Sequence, residues 1–234
     1  MPPTGRFAPS PSGPLHAGSL LAALGSYVDA RQLGGRWLLR IDDIDAERSR
    51  DAARDEIIRC LARHGLQHDG AIGYPSANIP RYRAVLDALF DRDEVYACRC
   101  TRAELKAHAR AVGHPRYAGT CRDSGLVRDG NAVRLRVSAG EVHWQTALDA
   151  WRSEDVSTST GDFPLQRRDG VIAYQLAVVV DDHHDGVTSV VRGADLADNT
   201  SRQVYLQQRL GYQAPRYLHL PLLTGPDGRK LSKS

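Results

Sequence analysis

A histidine and a glycine near the start of the sequence are the first residues whose spacing suggests chemistry. Residues 14–19 read PLHAGS and place His16 two positions before Gly18. The free N–H groups and the positive dipole end of a helix N-terminus suit a phosphate, and glycine lets the backbone approach it closely. An imidazole N–H can follow negative charge growing on a phosphate oxygen. The motif therefore indicates a nucleotide site, although a histidine before a helix is also commonly a cap or a surface residue.

Two lysines follow a glycine-rich turn near the other end of the sequence. Residues 224–234 read TGPDGRKLSKS and contain Lys230 and Lys233. Flexible ammonium groups can neutralise a pyrophosphate as it leaves a nucleotide. A solvated basic tail is the alternative interpretation of the same residues.

Three of the four cysteines are crowded into a short part of the chain. Cys98, Cys100 and Cys121 fall within this segment, whereas Cys60 stands alone among aliphatic residues. A chain of this length with this spacing does not resemble a secreted disulfide framework. Thiolates are natural zinc ligands, so we expect a metal site here, with buried inert cysteines as the alternative. Cys60 is expected to be a core thiol.

The elements that must position His16 form a strand, a helix and a second strand. Prolines end the apolar segment that begins at Arg6, and apolar residues then recur every three or four positions from residue 18 to residue 33. Glycines at 34 and 35 stop that helix, and residues 37–41 read as a buried strand. Such a unit over residues 6–42 predicts a parallel sheet with His16 at its carboxyl edge, where ligands bind in open α/β folds.

The rest of the chain alternates between helical and strand patterns, except for one segment. We predict helices at 50–64, 81–90, 173–180 and 199–210, and strands at 187–191 and 217–223. Residues 95–165 differ, with the cysteine cluster, a basic helix at 102–110 and an alternating strand at 133–137. We expect one nucleotide-binding catalytic domain formed by residues 1–94 and 166–234, interrupted by an inserted metal-bearing module at 95–165.

Composition limits the class of protein further. The chain has 234 residues, 41% of them hydrophobic and 25% charged, which is ordinary for a globular protein. No apolar run approaches the ~18 residues of a membrane span, so we expect no membrane partner and a cytoplasmic location. A net charge of +3 permits contact with a polyanion without requiring it. The sequence gives no indication of assembly, and we expect a monomer.

The His-x-Gly motif near the start and the Lys-x-Ser-Lys-Ser motif after the last strand together resemble the two signatures of class I aminoacyl-tRNA synthetases. Ser19 stands where the signature has a second histidine. The resemblance implies a Rossmann-like α/β catalytic domain in which ATP, with Mg²⁺, lies between the two signatures. It implies catalytic roles for His16 and Lys233. It also implies a set of ATP-binding residues: His16, Gly18, Ser19, Lys230 and Lys233.

The start of the sequence, GRFAPSPSG over residues 5–13, resembles the glutamyl branch of that class, and the similarity extends through residues 40–45, 173–182 and 191–196. The resemblance implies that Arg6 receives the side-chain carboxylate of glutamate, a task that the planar fork of a guanidinium suits. An ordinary surface ion pair is the alternative for an isolated arginine. The implied glutamate-binding residues are Arg6, Phe7, Ala8, Pro9, Ser10, Asp42, Tyr174 and Arg192.

One position departs from the pattern of that branch. Asp42 stands where a glutamate usually follows Arg-Ile to hold the substrate ammonium group. Aspartate keeps the charge but shortens the side chain by one methylene. We expect Asp42 to retain the role, and unchanged glutamate binding in an Asp42→Asn variant would contradict that expectation.

The order Cys98, Cys100, Tyr117, Cys121 is similar to the zinc module of one subgroup, the glutamyl-queuosine tRNA(Asp) synthetases. The resemblance implies a structural Zn²⁺ site with a phenolate oxygen as an unusual fourth ligand. It also implies that the enzyme activates glutamate without tRNA and transfers it to queuosine at the wobble position of tRNA(Asp). Members of the subgroup lack the helical anticodon-binding region of a full glutamyl-tRNA synthetase, and this sequence ends at the lysine motif.

Three other functions remain open from the sequence. The first is a truncated glutamyl-tRNA synthetase that charges the 3′ end of tRNA(Glu). The second is an inactive paralogue that binds tRNA or zinc, against which the retained Arg6, His16 and lysines argue. The third is a small-molecule ligase or nucleotidyltransferase that shares the His-x-Gly signature, which the segment around Arg6 makes a poorer match.

Overall fold

Two parallel strands joined by a helix open the chain in the computed structural model, which describes residues 2–146 and 150–225. Strand β1 (Thr4–Phe7) pairs in parallel with strand β2 (Arg36–Leu39), and helix α1 (Ala17–Arg31) connects them. The predicted strand–helix–strand unit is confirmed.

A second parallel pair lies beside the first. Strand β8 (Ser189–Gly193) pairs with strand β9 (Arg216–Leu220), and helix α7 (Thr200–Leu210) connects them after a 3-10 helix at Ala194–Asn199. The amide of Thr188 donates to the carbonyl oxygen of Thr4 at 2.9 Å, which sets the start of β8 next to the start of β1. The predicted α/β class with parallel sheets is therefore confirmed.

Glycines allow α1 to pack closely against both strand pairs. A Cβ built on Gly5 would lie 3.2 Å from the Cβ of Ala30, and one built on Gly25 would lie 2.5 Å from Cδ1 of Leu220. Real side chains essentially never approach so closely as the second of these distances. The absence of a side chain at Gly25 thus brings the middle of α1 onto the end of β9, close to the predicted nucleotide site.

Three further helices agree with the sequence pattern. They are α2 (Asp51–Arg63), α3 (Ile79–Asp91) and α6 (Tyr174–His184). Every residue from 175 to 182 in α6 is buried, which explains why this segment is apolar on all sides. The same burial encloses Asp181 and Asp182, so their charges require partners inside the protein.

The segment between the two parallel pairs is built differently. Strands β3 (Val95–Cys98), β4 (Ala132–Leu135) and β7 (Pro164–Gln166) form an antiparallel sheet, and β5 (Glu141–Gln145) pairs with β6 (Trp151–Asp155) as an antiparallel hairpin. Helices α4 (Arg102–Val112) and α5 (Val156–Ser159) complete it. The predicted basic helix and the strand at 133–137 are confirmed as α4 and β4, whereas the other four strands were not predicted.

Three hydrophobic clusters hold these elements. The largest joins β4 and β7 to α6 and α7 through residues such as Leu135, Leu165 and Leu176. A second cluster surrounds Trp37 between α1, β2 and α2. The third is small and contains Tyr96, Cys98, Tyr117 and Cys121. No helix among residues 2–146 and 150–225 is long and apolar enough to cross a membrane.

Candidate active site and metal centre

A cavity of about 560 Å³ opens where β1 and β8 end and α1 begins. Its volume falls in the range of small-molecule sites, and its position is where open α/β sheets bind ligands. Ten of the residues that sequence reasoning assigned to glutamate or ATP line it: Arg6, Phe7, Ala8, Pro9, Ser10, His16, Gly18, Ser19, Tyr174 and Arg192.

His16 caps the N-terminus of α1. Its Nδ1 accepts a hydrogen bond from the amide of Ser19 at 3.1 Å, and its Nε2 lies 3.0 Å from Oγ of the same serine. Because Nδ1 accepts, the proton of a neutral ring is assigned to Nε2. A Cβ on Gly18 would lie 3.1 Å from this ring, so the glycine leaves room for the imidazole to fold over the start of the helix. The histidine is therefore both a helix cap and a cavity residue.

Arg6 is buried in the wall of the cavity, and a carboxylate of the protein fixes its position. Its Nε donates to both carboxylate oxygens of Asp182 at 3.1 and 3.2 Å. Its two terminal nitrogens have no hydrogen-bond partner among the described residues. Arg6 is only 4% exposed, so a ligand entering the cavity meets a guanidinium that is already fixed in orientation. This arrangement leaves the forked end of the side chain for a carboxylate.

Asp182 belongs to a buried network that sequence reasoning did not assign to the site. Arg40 bonds Asp182 at 2.9 Å and Asp185 at 2.6 Å. Asp181 accepts from Tyr82 at 2.6 Å and from Asn78 at 3.0 Å. Burial raises the pKa of Asp182, but Arg6 and Arg40 outweigh burial and lower it below the ordinary value. The pair of aspartates at the end of an apolar run was the available sign that this helix carries buried charge.

Arg192 is a second buried arginine on the cavity wall, but its partners are neutral. It donates to Gln203 and Thr200, both at 2.8 Å, and its Nε donates to Nε2 of His219 at 3.3 Å. Burial lowers the pKa of Arg192. Burial and the charge of Arg192 together lower the pKa of His219 to about 4, which keeps this histidine a neutral acceptor. Sequence reasoning named Arg192 and missed His219.

Asp42 lies outside this cavity, in an adjoining one of about 500 Å³. The two cavities share several wall residues, among them Ser10, Arg48 and Tyr174, so they adjoin, and together they are called the cleft. The hydroxyl of Ser10 donates to Asp42 at 3.4 Å, and burial raises the pKa of the Asp42 carboxyl. Of the predicted glutamate-binding residues, Asp42 is thus the one set apart from the rest.

The predicted lysines, Lys230 and Lys233, fall outside the described residues. Residues 220–223, which begin at the last residue of strand β9, line the larger cavity. The polypeptide therefore passes the cavity shortly before the lysine motif in sequence.

The three clustered cysteines meet in space, together with Tyr117. Their Sγ atoms all lie within 4.8 Å of one another, and those of Cys100 and Cys121 are 3.6 Å apart. Oη of Tyr117 is 3.4 Å from Cys98 Sγ and 3.5 Å from Cys100 Sγ. Cys60 lies elsewhere on α2, and all four cysteines are free thiols. Three sulfurs and one phenol oxygen thus converge as a donor set suited to a metal ion.

Arg134 lies against this donor set without a carboxylate of its own. Its Nε donates to Cys98 Sγ at 3.2 Å, and its guanidinium lies 3.9 Å from the centre of the Tyr117 ring. Its other hydrogen bond is to the main-chain oxygen of Asp162, whose carboxylate accepts from Arg122 and Tyr96. Among the described residues, no carboxylate lies within ion-pair distance of Arg134. Within residues 2–146 and 150–225, the groups beside this buried cation that could become anionic are the sulfurs and the phenol oxygen.

The thiols differ in acidity. Burial raises the pKa of the Cys100 thiol to about 11. Burial acts on Cys98 as well, but hydrogen bonds from Tyr117 and Arg134 outweigh it and lower the pKa of that thiol. A divalent cation would overcome the effect of burial at Cys100, since coordination deprotonates a thiol.

Residues 4–234 match the family model described as tRNA synthetases class I (E and Q), catalytic domain. A relative from Pseudomonas putida strain W619, named Glutamyl-Q tRNA(Asp) synthetase, is 49% identical over 98% of this chain and 76% of its own length. A relative of the same name from Pseudomonas aeruginosa is 48% identical over 98% of this chain and 77% of its own.

Solved structures agree with the sequence comparison. A glutamate tRNA ligase from Elizabethkingia meningosepticum, determined with its amino acid, superposes with a TM-score of 0.85 at 27% identity. It matches 99% of this chain, which spans about half (52%) of that protein. A putative arginyl-tRNA synthetase from Campylobacter jejuni shares the fold, with a TM-score of 0.56 at 14% identity.

Proposed function

We propose, because this chain belongs to the class I tRNA synthetase family for glutamate and glutamine, that it activates glutamate with ATP and transfers it to queuosine in tRNA(Asp). The observation that carries the proposal is Arg6, a buried guanidinium on the cavity wall whose Nε is held by Asp182. The names of relatives 48–50% identical to the chain support the choice of acceptor.

Glutamate would bind with its side-chain carboxylate on Arg6. Two parallel hydrogen bonds from the terminal nitrogens give both strength and direction to such a contact. Arg192 lies on the same wall and adds positive charge, while its own nitrogens are occupied by Gln203, Thr200 and His219. Tyr174, which is 39% exposed at the start of α6, borders both cavities and would cover the substrate.

The ammonium group of the substrate would extend toward the adjoining cavity and Asp42. The carboxylate of Asp42 carries the required charge and is oriented by Ser10. Burial raises its pKa, and an ammonium group bound beside it would favour the charged form again. The contact of Arg6 with the side-chain carboxylate would distinguish glutamate from amino acids with neutral side chains, and the ammonium contact would orient the substrate.

ATP would bind at the N-terminus of α1, with its phosphates near His16, Gly18 and Ser19. Lys230 and Lys233 are proposed to complete this site, and Mg²⁺ would accompany the phosphates. In the first step an oxygen of the glutamate α-carboxylate attacks the α-phosphorus, and pyrophosphate leaves with the electrons of the broken P–O bond. His16 would stabilise charge on the phosphate through Nε2–H, so the protein contributes positioning and charge neutralisation.

In the second step a hydroxyl of the cyclopentene-diol of queuosine attacks the acyl carbon of glutamyl-AMP. The hydroxyl loses its proton, an ester bond forms, and AMP leaves. Members of this class need no covalent enzyme intermediate for the transfer. The cleft would therefore hold the modified base next to the adenylate.

The donor set of Cys98, Cys100, Tyr117 and Cys121 fits zinc. A tetrahedral site with Zn–S bonds of about 2.3 Å places sulfurs about 3.8 Å apart, close to the 3.6 Å between Cys100 and Cys121. Three thiols and the phenol oxygen would fill four positions and leave none open, which is the pattern of structural sites. Zinc would hold β3, the turn around Cys121 and the start of α4 together.

The competing function is transfer of glutamate to the 3′ end of tRNA(Glu). Both functions use the same cleft for the adenylate, so only the acceptor distinguishes them. The names of the relatives favour queuosine as the acceptor.

The first experiment is glutamate-dependent ATP–pyrophosphate exchange without tRNA, followed by transfer of labelled glutamate to tRNA(Asp) with and without queuosine. We expect exchange in the absence of tRNA and labelling only of the queuosine-containing tRNA. Exchange that requires tRNA(Glu) would support the competing function. No exchange under any condition would leave a binding protein and overturn the proposal.

Three further expectations accompany this proposal. We propose that residues 1–94 and 166–234 act as one catalytic domain and residues 95–165 as an inserted module. We propose a cytoplasmic location, which the free thiols of all four cysteines support. We also propose that the protein acts as a monomer, which sedimentation equilibrium would test.

A further inference from the structure

Helix α4 carries an exposed stripe of cations. Arg102, Lys106 and Arg110 are spaced four residues apart, so they lie on one face at intervals of about 6 Å along the helix. The helix has no buried residue, and its ends are fixed by a capping box between Thr101 and Glu104 and by Gly113, whose φ is 78°. A well-capped helix with little contribution to the core thus presents three positive charges to solvent.

Helix α2 also carries three arginines, but these form ion pairs with acids of the same helix. Arg54 pairs with Asp51 and Asp55, and both Arg59 and Arg63 pair with Glu56. Its cations therefore neutralise acids of the same helix.

On α4 the one acid is not available to the cations. Glu104 accepts from the amide and hydroxyl of Thr101 at 2.7 and 2.9 Å. Within the described part of the chain, Arg102, Lys106 and Arg110 form no ion pair. An exposed cation stripe that lacks internal partners is available to an external polyanion.

The positive charge continues from α4 toward the cleft. Arg99 and Arg168 are both exposed, and the guanidinium of Arg168 donates to the main-chain oxygen of Arg99. Arg168 is next in sequence to Arg167, which lines the smaller cavity together with Arg48. Arg167 itself is paired with Asp45 and Asp169, so Arg99 and Arg168 are the exposed cations between the start of α4 and the edge of the cleft. We define the basic track as Arg99, Arg102, Lys106, Arg110 and Arg168.

The base of this track is firmly anchored. Leu105 of α4 packs against the cluster that contains Cys98, Tyr117 and Cys121. The donor set for the metal therefore lies directly under the helix that carries the cations. A fixed row of charges binds a regular polyanion with less loss of freedom than a mobile one.

We propose that the basic track binds the sugar-phosphate backbone of the tRNA arm that brings the acceptor base into the cleft. This inference rests on the proposed function and specifies where the RNA lies. RNA fits the track because its phosphates supply regularly spaced charge without sequence information, which exposed lysine and arginine side chains match. The base itself would be recognised in the cleft.

The test compares two triple variants that remove the same charge. One is Arg102→Gln, Lys106→Gln, Arg110→Gln on α4, and its control is Arg54→Gln, Arg59→Gln, Arg63→Gln on α2. Glutamine preserves helix propensity in both. The measurements are the Kd for queuosine-containing tRNA(Asp) over a range of salt concentrations, and glutamate-dependent exchange without tRNA.

We expect the α4 variant to bind tRNA(Asp) about 10–100-fold more weakly at low salt, with a salt slope reduced by about 2. The α2 variant should bind within about threefold of the unmodified protein, and exchange should be unchanged in both. Equal losses in the two variants, or no loss in the α4 variant, would overturn the inference. Failure of the proposed function would instead appear as absence of exchange in the unmodified protein, which the binding comparison does not require.

A single change outside the helix separates binding from damage to α4. Arg168→Gln should raise the KM for tRNA(Asp) severalfold without changing the KM for glutamate, and the zinc content should stay the same. An unchanged KM for tRNA would show that the track does not reach the cleft. If the α4 triple variant lost as much affinity for a DNA duplex as for tRNA(Asp), the track would be a general polyanion surface. That result would also contradict the proposal.

Discussion

Arg6 in the cleft and Arg134 in the candidate metal centre (Cys98, Cys100, Tyr117 and Cys121) are both buried, and their charges are balanced by different means. Arg6 in the cleft shares the carboxylate of Asp182 with Arg40, so acids of the protein itself fix its position. Arg134 in the metal centre meets no carboxylate within the described residues and faces thiols and a phenol instead. A buried charge without a partner is costly. The charge of Arg6 is thus balanced without a ligand, whereas that of Arg134 is balanced only when the donors beside it are anionic.

This difference predicts which site depends on an added component. Asp182 is charged at neutral pH because Arg6 and Arg40 lower its pKa. Cysteines are mostly neutral at that pH, and burial raises the pKa of Cys100 further. A metal ion would supply the missing deprotonation. Removal of the metal by a chelator should therefore leave Arg6 oriented in the cleft, but it should disorder the candidate metal centre.

The largest effect should follow from removing the shared carboxylate in the cleft. Asp182→Asn leaves Arg6 and Arg40 without their common partner, and breaking a buried pair costs about 3–5 kcal/mol. We expect urea denaturation to show this loss and the KM for glutamate to rise at least about tenfold, because Arg6 is no longer fixed. The matched control is Asp185→Asn, which removes a partly exposed acid bound to Arg40 only. Equal effects from both variants would contradict the special position of Asp182.

Loss of the metal should lower stability by a similar amount, but it should act at the cysteine cluster and leave the KM for glutamate unchanged. Cys98→Ser should abolish stoichiometric zinc and lower the free energy of unfolding by about 4 kcal/mol, the stabilisation from a ligand present at about 1,000 times its Kd. Zinc content by mass spectrometry and thermal denaturation are the measurements. Cys60→Ser should change neither, since Cys60 lies on α2 away from the other thiols. Full zinc content in the Cys98 variant would show that the donor set is wrong.

Replacing Arg134 by a neutral residue tests directly whether the thiols and the phenol balance its charge. Arg134→Met removes the charge beside Cys98 and Tyr117 and should weaken zinc binding about 10–100-fold, the usual effect of losing a residue that supports a ligand. A chelator competition measures it, and the absorption bands of a cobalt-substituted protein would report changed ligand geometry. Arg122→Met is the control, since Arg122 bonds the carboxylate of Asp162 and not the thiols. Unchanged zinc affinity in the Arg134 variant would mean that its charge is balanced elsewhere.

The smallest effect concerns pH. His219 has a pKa of about 4 in the folded protein and about 6.5 when unfolded, so the unfolded chain binds more protons between these values. Stability is therefore complete above pH 6.5 and falls as the pH drops toward 4. His219→Gln should remove on the order of 1 kcal/mol of this pH dependence, discounted because the residue is partly exposed. Denaturation at pH 7.5 and pH 5 would measure it, and identical pH dependence in both proteins would contradict the assignment.

Local pattern was enough to predict the elements that carry the cleft. The strand–helix–strand unit, both strands of the second parallel pair and helices α2, α3, α6 and α7 follow from periodicity and glycine positions. Strands β3, β5, β6 and β7 did not follow from it, because three-to-five-residue strands in an antiparallel segment carry too few alternating positions. Long-range pairing, and not local propensity, determines them.

The sequence indicated those cavity residues that lie in segments resembling the class I synthetase motifs. Arg6, His16 and Arg192 stand in such segments, and the structure brings them to one cavity. Asp182 and His219 were missed because their importance comes only from what they touch, 176 and 27 residues away in sequence. Arg134 was missed for the same reason, since an alternating strand gives no sign that one side chain reaches a thiol 36 residues away.

The contact between Arg6 and Asp182 also bears on when the cleft can form. During synthesis the strand with Arg6 emerges first, and its partner acid follows only after 176 further residues. Contacts so distant in sequence must overcome a large loop-closure entropy and tend to form late in folding. The first parallel pair can therefore assemble early, while its central guanidinium remains hydrated until α6 arrives. The cleft would then become able to bind a substrate carboxylate only in a final step, when the two halves of the chain dock.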